Sequence, residues 1–308
     1  MTTGRPAGPH LVLVGPTASG KSALATEFAR RCHDVELVSV DSMQVYRGMD
    51  IGTAKPTPAE QAEVPVHLLD LADPSEDFSV VRFQAAALSV LGGVEARGHR
   101  ALLVGGTGLY LRAVVDGLRV PPRWPGIRAE LEADPDTEGL YRRLVELDPG
   151  AAGRMLPTNR RRIVRALEVV LGSGRPFSSF GEGLDVHPPI PYRLAGIWLP
   201  RPVVAARIEA RLAAMVDTGL VEETRALAGR PGGLSRTAAQ ALGYREMLRH
   251  LAGEHSLEEA VAEAVRRTRS FSRRQRVWFR RDPRITWYGA ERNPVAVLPA
   301  LLGDWGHP

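Results

Sequence analysis

The residues whose types and spacing best suit chemistry lie near the N-terminus, in the segment Gly15-Pro16-Thr17-Ala18-Ser19-Gly20-Lys21-Ser22. Four apolar residues, 11–14, precede it as a short buried strand, and apolar residues at helical spacing follow it. Strand, glycine-rich loop and helix form the context of a phosphate-binding P-loop, whose backbone N–H groups and lysine bind a diphosphate. The Ser22 hydroxyl is placed to coordinate Mg²⁺ on those phosphates. The segment therefore predicts a diphosphate site with Mg²⁺ as its cofactor.

Two more candidate residues follow predicted strands. The run 35–40 predicts a strand that ends at Asp41, and 101–104 predicts another that leads into Gly105-Gly106-Thr107. In open α/β sheets the ligand lies beyond the carboxyl ends of the strands, so we expect Asp41 and Thr107 beside the P-loop. Asp41 has three possible roles, as a helix cap, a magnesium ligand or a base. The two glycines allow close approach to a ligand, with a tight turn as the alternative.

Basic charge is concentrated in two segments of a chain whose net charge is +5. The first is a predicted helix over 158–172, which carries Arg160, Arg161, Arg162 and Arg165. The second is a predicted helix over 256–281, which carries eight arginines and has no carboxylate between Glu263 and Asp282. Arginines this dense repel one another in a bare helix, so a bound anion is the expected relief. For the first helix a solvated face is the alternative to phosphate binding.

The composition indicates a globular protein with a substantial core. Hydrophobic residues make up 44% of the 308 residues, which is ordinary for such proteins. Cys32 is the only cysteine, which excludes an internal disulfide and indicates a reducing cytosol. No run of eighteen uncharged apolar residues is present, so we predict no membrane span and a cytoplasmic location.

The order of the predicted elements indicates an α/β fold, a P-loop NTPase-like parallel sheet flanked by helices. A proline-rich break at 121–126 begins a helical middle part, and 192–199 predicts a strand that returns to the sheet. Residues 1–118 and 192–308 are therefore expected to form the α/β core with C-terminal helices, and 119–191 an inserted all-helical subdomain. Further helices are predicted in the C-terminal part, at 203–216, 219–228 and 237–251.

The P-loop alone leaves the bound compound open. A GTPase needs an Asn-Lys-x-Asp motif, which is absent because Lys21 and Lys55 are the only lysines. A motor ATPase needs an aspartate that closes an apolar strand as a metal site. Glycines follow Val104 instead, although Asp41, after the second predicted strand, could serve. A P-loop kinase for a small molecule or nucleoside remains an alternative. A non-catalytic RNA-binding protein is a third, although the intact Lys21-Ser22 pair argues against a degenerate loop.

Several sequence blocks, spread in order from the N-terminus to about residue 281, resemble those of the tRNA dimethylallyltransferases. The blocks are the P-loop, Ser39-Val40-Asp41-Ser42, residues 46–56, residues 105–110, Asn159 with Arg162 and 165–169, Gly243-Tyr244-Arg245 and residues 274–280. The sequence departs from the family pattern at Val277, where Thr or Ser is expected, and at Ser272, which is often Ala. The cysteine-rich zinc extension of eukaryotic members has no counterpart here, so the resemblance is to the bacterial form.

The resemblance implies transfer of a dimethylallyl group from dimethylallyl diphosphate to N6 of the adenine 3′ to the anticodon of tRNA. The P-loop, together with Arg211, would then bind the diphosphate as a leaving group. Asp41 would orient N6 and accept its proton, and Thr107 would hold the base, as the two catalytic residues. The partners are a tRNA anticodon stem-loop and dimethylallyl diphosphate, and we expect a monomer. The implied tRNA contacts are Asp41, Ser42, Met43, Gln44, Thr107, Arg128, Arg161, Arg162, Arg165, Arg245, Arg273, Arg274, Gln275, Arg276 and Arg280.

Overall fold

The computed structural model describes residues 9–181 and 183–305. The outermost residues of the predicted core domain, 1–8 and 306–308, lie outside the described residues. The chain divides into two compact units, a larger one of residues 1–115 with 189–308 and a smaller one of 116–188. These boundaries lie within three residues of those expected from the proline-rich break and the returning strand.

Six parallel strands form one sheet in the larger unit. They are β1 (His10–Val14), β2 (Val35–Val40), β3 (Val66–His67), β4 (Arg100–Gly105), β5 (Tyr192–Trp198) and β6 (Ile285–Gly289). Their order across the sheet is β3-β2-β4-β1-β5-β6. The predicted parallel α/β fold is therefore confirmed, and so is the return of β5 to the sheet beside β1.

Helices cover both faces of this sheet. The helices of the larger unit are α1 (Lys21–Arg31), α2 (Pro58–Glu63), α3 (Val80–Ala96), α4 (Gly108–Val115), α9 (Arg201–Asp217), α10 (Leu220–Ala228), α11 (Tyr244–Leu251), α12 (Leu257–Phe279) and α13 (Leu298–Asp304). Those of the smaller unit are α5 (Pro125–Ala133), α6 (Thr137–Leu147), α7 (Pro149–Ala152) and α8 (Arg160–Ser173). None of the helices in the described ranges is both long and apolar enough to cross a bilayer.

Side chains of β1 supply apolar contacts to both faces, because successive residues of a strand point to opposite sides. Leu11 and Leu13 belong to the core that α1 and α13 cover, where the rings of Phe28 and Trp305 meet edge to face at 5.0 Å. Val12 and Val14 belong to the second core, under α3, α9, α11 and α12. Burial on both sides explains why β1 reads as an unbroken apolar run.

The helix predicted over 237–251 is wrong in its first half. A 3-10 turn occupies Ala238–Gln240, and the chain then turns at Gly243, whose φ of 91° lies in the left-handed region. α11 begins only after this glycine. The long last helix, predicted over 256–281, is confirmed as α12, and Ser256 with Glu259 forms a capping box at its start.

The smaller unit has its own apolar core, built by α5, α6 and α8. Leu144 and Ile163 are fully buried there. Trp124, just before α5, packs against Gly172 so closely that a Cβ at residue 172 would overlap the indole. The predicted helical character of this segment is therefore matched by the structure.

Candidate active site

The predicted P-loop connects β1 to α1 and has the curled backbone that anion binding requires. Ala18 (φ 63°) and Gly20 (φ 82°) are both left-handed, and the Ser19 N–H donates to the Pro16 carbonyl at 3.2 Å. A Cβ on Gly15 would lie 2.7 Å from the Ser19 hydroxyl, so only glycine fits there. In the described part of the chain, no side chain caps the N-terminus of α1, whose N-cap residue is Gly20. Its first N–H groups are thus left for a ligand.

Three cationic side chains surround this loop. Arg211 Nη2 donates to the Thr17 hydroxyl at 2.8 Å, and Arg207 Nη1 lies 3.5 Å from the Ala18 carbonyl oxygen. Burial lowers the pKa of Lys21 to about 8, with Asp41 opposing the shift and Arg211 adding to it. Arg207 was missed by the sequence reading, although its spacing of four residues from Arg211 puts both on one face of α9. The loop therefore has a strong excess of positive charge.

One buried atom of the loop is left for a ligand. The Ser19 hydroxyl has no hydrogen-bond partner among the described residues, although Ser19 is fully buried. Buried hydroxyls are rarely left unpaired in proteins, because their desolvation is then uncompensated. A phosphate oxygen would supply the missing partner, which fits a diphosphate in this cradle.

Asp41 and Thr107 lie side by side at the carboxyl edge of the sheet. The strands before them, β2 and β4, are neighbours, with Val40 opposite Gly105. The Ser42 N–H donates to the Thr107 hydroxyl oxygen at 3.2 Å, and the Met43 N–H donates to Asp41 Oδ1 at 2.8 Å. The next helix, α2, begins only at residue 58, so the helix-cap role for Asp41 is wrong.

Gln275 of α12 forms hydrogen bonds to both glycine-rich loops of the site, the P-loop and the Gly105-Gly106-Thr107 loop. Its side-chain oxygen accepts from the Thr17 N–H at 2.8 Å, and its side-chain nitrogen donates to the Gly106 carbonyl at 2.9 Å. Gln275 is only 7% exposed. With both polar atoms used in this way, Gln275 joins the P-loop to the Gly105-Gly106-Thr107 loop, and its expected contact with tRNA stays a prediction.

The oxygen donors near the P-loop fit Mg²⁺ that is held mainly by a ligand's phosphates. The Ser22 side chain is exposed and forms no hydrogen bond in the described ranges. No cluster of three His, Cys, Asp or Glu residues that could hold a metal occurs among the described residues. Mg²⁺ takes few protein ligands when phosphate oxygens and waters complete its shell, so a single hydroxyl is a sufficient protein donor.

Comparison with known proteins decides the family. Residues 44–282 match the family model described as IPP transferase, and residues 9–70 match a model described as isopentenyl transferase. The chain belongs to the IPP transferase family. A tRNA dimethylallyltransferase of Roseiflexus castenholzii is 50% identical over 291 residues, covering 92% of this chain and 93% of that protein. Another, of Streptomyces coelicolor, is 47% identical and covers 98% and 96%.

Solved structures agree with this family. A tRNA isopentenylpyrophosphate transferase from Bacillus halodurans has a TM-score of 0.70 at 37% identity and covers 96% of this chain and 95% of its own. A eukaryotic dimethylallyltransferase acting on tRNA has a TM-score of 0.79 at 23% identity, covering 98% and 81%, and that likeness shows the fold alone. As a member of the family the chain is a transferase, and the kinase and non-catalytic alternatives gain no support.

The arginines of α12 in this IPP transferase divide into paired and open groups. Arg266, Arg267 and Arg269 form ion pairs with Glu263, Glu246 and Glu209, respectively. The expectation that a bound anion relieves the whole run is therefore wrong for these three, because carboxylates from this and neighbouring helices reach them. Four of the remaining arginines were expected to contact tRNA, namely Arg273, Arg274, Arg276 and Arg280, and Arg281 follows the last of them in the sequence.

The open group lies on the last two turns of α12 and at its C-terminal cap, Arg280. Arg273 and Arg280 are exposed, Arg274 donates to the Ser270 hydroxyl at 3.0 Å, and the Arg276 guanidinium lies 4.9 Å from the centre of the Trp198 ring. A cleft of ≈ 340 Å³ opens on this surface, lined by Ser270, Arg273, Arg274, Val277, Trp278 and Arg281. No carboxylate lines it among the described residues, which suits a phosphate-rich ligand.

The aromatic pair of α12 has two different environments. Phe279 is buried in the core. Trp278 is half-buried and packs against Gly108, where a Cβ would overlap the indole. Gly108 follows Thr107 directly, so the cleft adjoins the Gly105-Gly106-Thr107 loop. Arg245, also expected to contact tRNA, is exposed in the first turn of α11.

The arginines of the smaller unit are less open than expected. Arg165 forms an ion pair with Glu168 at 2.9 Å and donates a hydrogen bond to the Pro121 carbonyl at 2.7 Å, while Arg128 pairs with Glu132 at 2.8 Å. Arg160 donates to backbone carbonyls in the last turn of α5 and just after it. Two of the four arginines on α8, Arg160 and Arg165, therefore have partners within this unit, and phosphate binding by this helix stays a prediction. The other two, Arg161 and Arg162, remain exposed.

Proposed function

We propose that the protein transfers a dimethylallyl group from dimethylallyl diphosphate to N6 of the adenine 3′ to the anticodon of tRNA. One observation carries the proposal. The Asp41 carboxylate and the Thr107 hydroxyl stand on adjacent strand ends beside a P-loop that Gln275 ties to the same edge. The names of the relatives, which include tRNA dimethylallyltransferase, support the same reaction.

The P-loop binds the diphosphate as the leaving group. The allylic C–O bond breaks, the electron pair stays with the diphosphate, and positive charge develops on the allylic carbon. Loop N–H groups, Lys21, Arg211 and Arg207 stabilise the anion as it forms. Bound Mg²⁺, which Ser22 would help to hold, supplies further positive charge for the phosphate oxygens.

Asp41 serves as the base. The N6 amine of adenine is a poor nucleophile because its lone pair is delocalised into the ring, and it becomes acidic as the new N–C bond forms. The proton released from N6 passes to the Asp41 carboxylate. Thr107, whose hydroxyl oxygen accepts the Ser42 N–H, contacts the base beside it. The hydrogen bond from the Met43 N–H keeps one carboxylate oxygen oriented.

Basic surfaces bind the tRNA while the target adenine leaves its stack. In the larger unit these are Arg245 and the open arginines of α12, together with the segment 41–44 that follows β2. In the smaller unit they are Arg161 and Arg162. Phosphate contacts of this kind fix the position of the RNA but do not read its sequence. A monomeric state and a cytoplasmic location stay predictions.

The experiment is incubation of the protein with a tRNA transcript, Mg²⁺ and dimethylallyl diphosphate, followed by digestion to nucleosides and mass analysis. One dimethylallyl group on one adenosine per tRNA is expected, without ATP. A parallel incubation with γ-labelled ATP tests the kinase alternative. Label transfer without tRNA modification would contradict the proposal.

A further inference from the structure

The segment that follows Asp41 has little regular structure, yet it carries much of the proposed site. Between β2 and α2 the backbone forms turns and a single bridge, from Tyr46 to Ala72. Such a loop holds a catalytic side chain accurately only when other contacts fix it. Two ionic side chains do so here, Glu223 of α10 and Lys55 of the loop itself.

Glu223 binds the far end of the loop through consecutive backbone groups. Its carboxylate accepts hydrogen bonds from the N–H groups of Asp50 (3.1 Å), Ile51 (2.9 Å) and Gly52 (3.2 Å). The hydroxyl of buried Tyr244 donates to the same carboxylate. A Cβ on Gly52 would overlap the Tyr244 ring, so the loop lies directly against it. Four charge-assisted hydrogen bonds make this carboxylate a firm anchor.

Lys55 holds the same part of the loop from its other side. Its Nζ donates to Asp50 Oδ1 at 2.5 Å, to Asp70 Oδ1 at 2.7 Å and to the Tyr46 carbonyl at 2.8 Å. The Lys55 side chain is 3% exposed, so water competes little for these bonds. The loop is thus clamped around Asp50.

Gln44 connects this clamped part of the loop to the start of the loop. Its side-chain nitrogen donates to the carbonyls of Thr53 and Ala54, each at 3.2 Å. Its side-chain oxygen accepts from the Ser39 hydroxyl at 2.7 Å. Gln44 therefore ties the clamped end of the loop to the last residues of β2, on which Asp41 directly follows.

From these contacts we infer that Glu223 is a positioning residue, which fixes the direction of the Asp41 carboxylate through the loop backbone and Gln44. The inference rests on the proposed function, because prenyl transfer is the reaction that Asp41 serves. The diphosphate site is held by different contacts, those of Arg211 and Gln275. Loss of the Glu223 carboxylate should therefore lower kcat and leave the KM for dimethylallyl diphosphate unchanged.

The test compares Glu223→Gln with Glu222→Gln in steady-state prenyl transfer to tRNA. Glu222 is the matched control, since it is exposed and its nearest cation is Arg225 at 3.9 Å. We expect kcat to fall about tenfold or more in Glu223→Gln, because a misplacement on the order of 1 Å can cost about 10²-fold. The KM for dimethylallyl diphosphate should stay within about twofold. Glu223→Asp, which keeps the charge, should recover part of kcat.

Each other outcome has a definite meaning. An inactive wild-type protein would contradict the proposed function, independently of Glu223. With an active wild type, an unchanged kcat in Glu223→Gln overturns the positioning role. A rise in the KM for dimethylallyl diphosphate that matches the loss of kcat overturns it too, because that indicates general structural damage. If Glu223→Gln does not fold, Tyr244→Phe decides instead: a kcat about threefold lower supports the role, and an unchanged kcat overturns it.

Discussion

The side-chain oxygen of Gln275 lies 2.8 Å from the backbone nitrogen of Thr17 and accepts its hydrogen bond. A residue in the last third of α12 thereby fixes the P-loop backbone. The same amide donates to the Gly106 carbonyl, so one side chain sets the spacing between the diphosphate cradle and the loop of Thr107. The two parts of the proposed reaction, leaving group and acceptor base, are aligned by this contact.

Gln275→Ala should weaken the binding of dimethylallyl diphosphate about tenfold, because two buried hydrogen bonds are lost and two backbone groups are left unpaired. Binding of tRNA should change little. Gln240→Ala is the control, since Gln240 is exposed in a 3-10 turn. Isothermal titration of each ligand checks this. Weaker tRNA binding with normal diphosphate binding would place Gln275 at the RNA surface instead.

Diphosphate binding should depend on pH through Lys21. Burial lowers the pKa of Lys21 to about 8 in the ligand-free protein, and a bound diphosphate stabilises the ammonium form and raises that pKa. The affinity for the diphosphate should thus be highest below pH 8 and fall by up to about tenfold per pH unit above it. Titration with dimethylallyl diphosphate in the absence of tRNA, from pH 7 to about 10, measures the effect.

Lys21→Met supplies the comparison for this titration. It removes the ammonium, so its binding should be weak and nearly independent of pH over the same range. A wild-type protein whose affinity is equally flat would show that Lys21 stays fully charged throughout.

The open arginines of α12 should dominate the salt dependence of tRNA binding. Replacing Arg273 and Arg274 together by Ala should reduce the slope of log K against log salt by about 2, since each phosphate contact contributes about 1. Replacing Arg266 and Arg269, whose guanidinium groups pair with Glu263 and Glu209, should change the slope less. Filter binding over a range of salt concentrations tests both variants. Equal slopes for the two double variants would contradict the division into open and paired groups.

Gly105→Ala should destabilise the sheet. A Cβ there would overlap the Val40 carbonyl on the neighbouring strand, which must move to admit it. The expected loss is about 1–3 kcal/mol in the free energy of unfolding. Gly92→Ala is the opposite case: Gly92 is exposed within α3 with open space around it, and the change should stabilise by about 0.5–1 kcal/mol. Chemical denaturation measures both, and equal midpoints would contradict the steric argument.

The sequence predicted the parts of the molecule whose signals are local. Apolar runs before Gly15, Asp41 and Gly105 identified three adjacent parallel strands, because a buried strand needs apolar residues on both faces. The glycine spacing identified the P-loop, because this motif is contiguous in the sequence. The capping box of Ser256 and Glu259 can also be recognised from the sequence, because both residues lie within one helical turn.

Contacts between distant segments could not be predicted in this way. Gln275 is 258 positions from Thr17, so the hydrogen bond that joins α12 to the P-loop leaves no local signal in the sequence. Glu209 and Glu246 are far in sequence from the arginines that they neutralise, so the charge of α12 was overestimated. The break before α11 depends on Gly243, and a glycine in an otherwise helical pattern is compatible with either state.

The central claim is that Asp41 accepts the proton of a base while the P-loop retains a departing diphosphate. The most direct measurement is single-turnover prenyl transfer by Asp41→Asn, with tRNA and dimethylallyl diphosphate binding measured on the same protein. The account predicts that both ligands bind within a few-fold of wild type while the transfer rate falls by about 10²-fold or more. Transfer at the wild-type rate in that variant would contradict it.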